Sequence, residues 1–234
     1  MTDRSDRLPA VVPDLPEDVG ERLWSAARLI KVAPGKSPIS QGSASNSVYI
    51  VIKGRLQVTL FSLSGREVIL GELAEGEIFG ELAAIDGQPR SASVIALSDC
   101  LLACVDAETF REATTDLPSG ARWLAGRLAA HVRRLTTKLF ESSTLPVRSR
   151  LHCELLRLCS DADTGESRIV IERAPTHAAL ASRVGTHREA VTREMNFLAQ
   201  RGILHQEGRR LSVLDRLALA RLVHEATGEQ PGRE

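Results

Sequence analysis

The order of apolar and polar residues along the chain divides it into three stretches with different periods. In PEDVGERLWSAARLIKV (16–32), apolar residues recur at helical spacing through Leu23, Ala26, Ala27 and Ile30. The spacing predicts a helix over these positions, stopped by Pro34 and Gly35. From Ser37 to about Phe110 the period shortens. VYIVIKG, RLQVTLF, EVILGEL, SASVIAL and CLLACVD are short β-rich runs, punctuated by Gly54, Gly65, Gly71, Gly76, Gly80 and Gly87. Several short strands at this spacing predict a closed antiparallel barrel or roll.

After a short helix and turn in AETFREATTDLPSG, the helical period returns as one long helix over 119–142. Its apolar positions, Leu124, Leu128, Val132 (or His131), Leu135 and Leu139, repeat every three or four residues. The stripe can pack on the roll itself. A seam with a second copy is preferred, because about five turns of apolar stripe outlast what one roll covers. LPVRSRLHCELLRLCSD is a further amphipathic helix with Pro146 as a hinge near its start. DTGESRIVIERAPT then supplies a polar turn and a strand. Two helices, THAALASRVG and HREAVTREMNFLAQRG, an ILHQEGRRLSVLD hairpin and a last helix, RLALARLVHEA, follow.

The expected fold is therefore α+β. It comprises an N-terminal antiparallel β-roll with its helix (1–118), a long dimerisation helix (119–142) and a winged helix-turn-helix (145–234).

Composition narrows the chemistry. The 234 residues are 43% hydrophobic and 26% charged, as in ordinary globular proteins. No run of about 18 apolar residues is present, and the polar, Pro-rich start lacks the apolar core of a secretory signal. A cytoplasmic protein with no membrane partner is expected. Cys100, Cys104, Cys153 and Cys159 lack metal-ligand spacing and read as free thiols, so no metal is expected. The six histidines (131, 152, 177, 187, 205 and 224) are scattered, and none stands beside a plausible nucleophile, which disfavours an enzyme.

Net charge is zero, which by itself argues against nucleic acid. Residues 175–214 nevertheless hold six arginines against three glutamates, with no Asp or Lys. There, small residues Ala178–Ala181 precede Gly185 at a turn, and Val191, Met195 and Leu198 form the buried stripe of the second helix. Its other face presents Arg188, Glu189, Thr192, Arg193 and Asn196. Arginine pairs bidentately with guanine and glutamate accepts from cytosine, so the first two turns suit a major groove. Arg209 and Arg210 on the hairpin suit phosphates. Thr176 and His187, at the two helix starts, join these candidates. A solvated helix with an i,i+4 Glu189–Arg193 pair is the plainer alternative, but it does not call for the turn glycine or the basic wing.

FGELAAIDGQPRSASV (79–94) poses the second question, because it places Glu81 and Arg90 nine residues apart. Gly80 permits close backbone approach. GELAAI starts a short helix whose free N–H groups face an anion, and Arg90 and Ser91 suit the same anion. Glu81 suits sugar hydroxyls instead. An anionic ligand carrying a ribose satisfies all four residues; a surface Glu81–Arg90 pair would contribute little.

This stretch resembles the phosphate-binding cassette of cyclic-nucleotide-binding domains. Followed by a long helix and GTHREAVTRE, it is similar to the Crp/Fnr transcription factors, nearest their cAMP-receptor branch, over roughly residues 20–214. The resemblance implies that Gly80, Glu81, Leu82, Arg90 and Ser91 hold a cyclic nucleotide. Glu81 would take the ribose 2′-hydroxyl, and Arg90 and Ser91 the cyclic phosphate. It implies that Arg188, Glu189 and Arg193 of a homodimer read a palindromic, TGTGA-like site in double-stranded DNA, with RNA polymerase as a further partner. No N-terminal cysteine cluster is present, which disfavours the iron–sulfur branch. The family's Thr-Ser pair that meets the base is His131 and Val132 here, and Thr136 and Thr137 lie further along. Whether the effector is cAMP, cGMP or another ligand, or whether the cassette is vestigial, stays open at this point, as does a module regulating an enzyme or channel.

Overall fold

The computed structural model describes residues 11–65, 67–161 and 169–227, which fall into two compact units, 1–133 and 134–234.

In the first unit a helix, α1 (Glu17–Ala26), leads directly into strand β1 (Arg28–Val32). The helical period read through Ile30 is thus cut short. Ala27 is already extended, and the next five residues pair antiparallel with β7 (Cys100–Val105), from Arg28 opposite Cys104 to Val32 opposite Cys100. Ile30 fits a helical or an alternating pattern equally. With Val32 two positions on, both on the inward face, strand pairing decides the conformation.

The remaining strands are β2 (Val48–Lys53), β3 (Leu56–Phe61), β4 (Glu67–Leu73), β5 (Ile78–Phe79) and β6 (Ser93–Ala96). They form two antiparallel sheets, ordered β1-β7-β2-β5 and β4-β3-β6. Val51, Leu56, Val94, Ala96 and Leu102 fill the interior of this roll. A second core on its outside is built from Val19 and Leu23 of α1, Ile50 and Ala103 of the sheet, and Phe110 of α3 (Ala107–Thr115), with Trp123 beside them. Between β5 and β6 lies a six-residue helix, α2 (Glu81–Asp86).

Helix α4 (Pro118–Thr144) is the long helix, and the division between the units falls inside it. The second unit continues with α5 (Val147–Asp161), β8 (Ile169–Ile171), α6 (His177–Val184), α7 (Arg188–Gln200), β9 (Leu204–Glu207), β10 (Arg210–Val213) and α8 (Arg216–Thr227). The polar turn expected at 163–168 lies outside the described residues. The three strands form one small antiparallel sheet ordered β8-β10-β9. Leu155, Leu180, Val191, Leu198, Leu211 and Leu219 join α5, α6, α7, β10 and α8 in a single core. The architecture is an antiparallel β-roll, a long helix and a winged helix-turn-helix.

The four cysteines are free and buried. Burial pushes the Cys153 thiol up to about 11, so it stays protonated and inert. Among the described residues no helix is long and apolar enough to cross a membrane.

Candidate functional site: a buried arginine cradle and a helix-turn-helix face

Arg90 is held on every side by neutral groups. Its backbone N–H donates to the Ser43 carbonyl (2.9 Å), and its own carbonyl accepts from Gly42 (2.8 Å), which fastens it to the loop before β2. The side chain is only 3% exposed. Nε donates to Ser45 Oγ (3.0 Å), Nη1 to the Gly80 carbonyl (2.7 Å) and Nη2 to the Ser47 carbonyl (2.6 Å). Gly80 is left-handed, with φ of 84°, and a Cβ there would stand 2.7 Å from Nη1. The close approach that this glycine permits is therefore to the arginine itself.

A buried charge without an ion-pair partner is costly. Desolvation pushes the Arg90 guanidinium below its ordinary value, and Tyr49 and then Glu81 oppose this only in part. Glu81 opens α2 and is half-buried. Burial pushes its carboxyl above the usual range, against the pull of its own amide, Arg127 and Arg90. Leu82 and Ser91 are exposed beside them. Gly80, Glu81 and Arg90 thus meet in one cradle, with Leu82 and Ser91 next to them in the chain. Two of its parts were missed in sequence. Ser45 lies in a loop with no charge to flag it. Arg127 sits 5.4 Å over the Trp123 ring, an i,i+4 spacing that was legible but has no period of its own.

Along α4 the apolar stripe divides. Leu124 packs on the roll's own outer core, and Leu128 is half-buried. Val132, Leu135 and Leu139 are 61%, 45% and 67% exposed, joined by Phe140 at 53%. His131, Thr136 and Thr137 also lie on exposed turns of this helix.

In the second unit, the Thr176 hydroxyl accepts from the Ala179 N–H and caps α6. Gly185 ends that helix in the left-handed conformation, with φ of 68°, and His187 begins the next. Arg188, Glu189, Arg193 and Asn196 are exposed on one face of α7, opposite the buried Val191, Met195 and Leu198. The Thr192 hydroxyl donates back to the Arg188 carbonyl (3.0 Å). His152, buried on α5, holds the rear of α7 through Glu194 Oε1 (2.7 Å). On the wing, Arg209 Nε donates to the Ala174 carbonyl (3.1 Å), and Arg210 meets Glu172 at 3.2 Å on the surface.

The family model for the cyclic nucleotide-binding domain matches residues 29–116, and that for the Crp-like helix-turn-helix domain matches 149–222. The chain is 32% identical over 170 residues to the cyclic AMP receptor protein of Thermus thermophilus, covering 73% of this chain and 76% of that one. It is 27% identical over 188 residues to a CRP-like cAMP-activated global transcriptional regulator of Mycobacterium tuberculosis, covering 80% and 84%. The fold is similar to that of FixK2 from Bradyrhizobium japonicum, with a TM-score of 0.73 at 19% identity over 84% of this chain and 96% of the other.

Proposed function

The chain belongs to the Crp/Fnr family of DNA-binding transcription regulators, and on that premise we propose that it is a cAMP-responsive homodimer that reads a palindromic, TGTGA-like site. The observation that carries the ligand half is Arg90, buried among neutral acceptors only. A cyclic phosphate brings the missing negative charge, and the guanidinium has donors left for it. Ser91 adds a hydroxyl, Leu82 covers the ligand, and Glu81 accepts from the ribose 2′-hydroxyl. The base would be met from α4, by His131 and Val132 or by Thr136 and Thr137. Adenine is favoured because the relatives above are named for cAMP. The departure at His131 and Val132 keeps cGMP as the second reading.

Val132, Leu135 and Leu139, continuing from Leu124 and Leu128, form the seam with the second copy. The dimer sets two recognition helices about 34 Å apart, one turn of DNA. Arg188, Glu189 and Arg193 read base edges, while Thr176, His187, Arg209 and Arg210 fix the backbone register and Thr192 lies between the two reading arginines. Nucleotide favours the DNA-competent arrangement, so DNA tightens nucleotide binding by the same factor. Such a regulator works in the cytoplasm, with RNA polymerase as its onward partner.

A mobility-shift titration with a palindromic TGTGA duplex tests the proposal. Affinity should rise on adding cAMP, rise less with cGMP, and respond to neither in Arg90→Ala. Nucleotide-dependent binding that survives Arg90→Ala would sink the site assignment.

A further inference from the structure

Neither ring nitrogen of His177 is left for DNA, although the residue stands at the start of α6 among the candidate contacts. Nδ1 lies 2.9 Å from Thr192 Oγ1 on the recognition helix α7. Nε2 lies 3.1 Å from Gln206 Oε1 on the wing strand β9. The side chains of three elements therefore meet at one imidazole. Gln206 is oriented from its far end, since its Nε2 donates to the Gly208 carbonyl (3.1 Å) at the wing turn. Its Oε1 is thereby turned to the ring, and His177 Nε2 carries the proton between them. At the other nitrogen the link survives either way. A neutral ring protonated on Nε2 accepts at Nδ1 from the Thr192 hydroxyl, turned away from the Arg188 carbonyl; a ring protonated on both nitrogens donates from Nδ1 to Thr192 Oγ1 while that hydroxyl stays on the carbonyl.

We propose that His177 is a positioning residue that pins the wing to the recognition helix. This rests on the DNA-reading proposal above. Thr192 sits one turn after Arg188 and next to Arg193, the two arginines assigned to base edges. Gln206 is two residues before Gly208, which is followed by Arg209 and Arg210, assigned to phosphates. Base readout needs the arginines aligned to the groove while the wing holds the backbone; a wing free to move relaxes that alignment. The pin fixes the two sets of contacts in one frame. His177 makes no DNA contact itself, and the Thr192 hydroxyl serves the pin.

The test compares the full-length chain with His177→Ala, Gln206→Ala, the double variant and Thr192→Ser, which keeps the hydroxyl for Nδ1. In the free protein, amide exchange of the hairpin over 204–213 should quicken in His177→Ala and Gln206→Ala and stay near wild type in Thr192→Ser. Binding to a palindromic TGTGA duplex and to single-base variants, across a salt series, reads the consequence. Each alanine variant should lose roughly 3- to 10-fold in preference for the intact site, and the double variant no more than either single one. The slope of affinity against salt should not change. A slope lower by about one would make His177 a direct phosphate contact and overturn the proposal. Additive losses, or unchanged hairpin exchange in His177→Ala, would overturn it too. If hairpin exchange responds but the wild type prefers no duplex at all, the DNA-reading proposal falls and takes the positioning role with it.

Discussion

Both units bury arginines, and they treat them in opposite ways. In the second unit, Arg183 and Glu154 are nearly sequestered, with side chains 5% and 7% exposed and Arg183 Nη1 3.0 Å from Glu154 Oε1. Arg157 adds a contact to Glu154 at 3.0 Å and a fork onto Glu141, at 2.7 and 3.1 Å. Burial works against the Glu154 charge, yet Arg157, Arg183 and Lys138 outweigh it and hold the carboxyl below its usual range. Burial likewise works against the Arg157 charge, and Glu141 and Glu154 hold it above its ordinary value. In the first unit, Arg90 is buried as deeply and meets two carbonyls and a hydroxyl. The difference separates structure from function. A buried cation neutralised by its own chain ties elements together; one left among neutral acceptors suits the anion-holding role proposed for Arg90.

Breaking the neutralised side should have the largest effect. Glu154→Ala leaves Arg183 buried without its carboxylate and should destabilise the second unit by about 3 kcal/mol, read by chemical denaturation, without changing nucleotide affinity. Breaking the open side should do the reverse. Arg90→Ala should weaken cyclic-nucleotide binding roughly 100-fold, equivalent to about 2.7 kcal/mol, and leave amide exchange in the second unit unchanged.

Acid separates the two sides further. The folded value of Glu154 is depressed, so its stabilisation is present above the unfolded carboxylate value of about 4.3 and is lost as pH falls through the folded value. The folded value of Glu81 is raised, so the cost of burying it is present at neutral pH and is relieved as pH falls through that value. Exchange followed as pH falls from 7 to well below about 4.3 should therefore show the second unit loosening before the cassette does. Smallest of all, Glu81→Gln should slightly stabilise the ligand-free first unit at pH 7 in thermal melts while weakening nucleotide binding.

Local patterns in the sequence carried most of the architecture. Strand runs between glycines, the stripe of α7 and the Thr176 and Gly185 helix ends are all set by neighbouring residues, and these were legible. Arg28–Val32 was not, because five residues that fit two periods took their conformation from Cys100–Val105, some 70 positions away. The identities of the cassette residues were legible too, but the seat of Arg90 was not. Two of its three side-chain acceptors are backbone carbonyls, which any residue supplies, and the third is Ser45. The i,i+3 pair Glu154–Arg157 can be read from spacing alone, whereas its links to Glu141 and Arg183 depend on how α4, α5 and α6 fold together. The stripe on α4 was read as continuous; which turns pack on the roll and which face outward was decided by where the roll ends.

Isothermal calorimetry of the full-length chain with cAMP and with cGMP, each repeated on Arg90→Ala, tests the role of the buried arginine most directly. The wild-type chain should bind one cyclic nucleotide per protomer, cAMP the more tightly, and Arg90→Ala should show no saturable heat at the same concentrations. No binding of either nucleotide to the wild type, or equal affinity in Arg90→Ala, would contradict it.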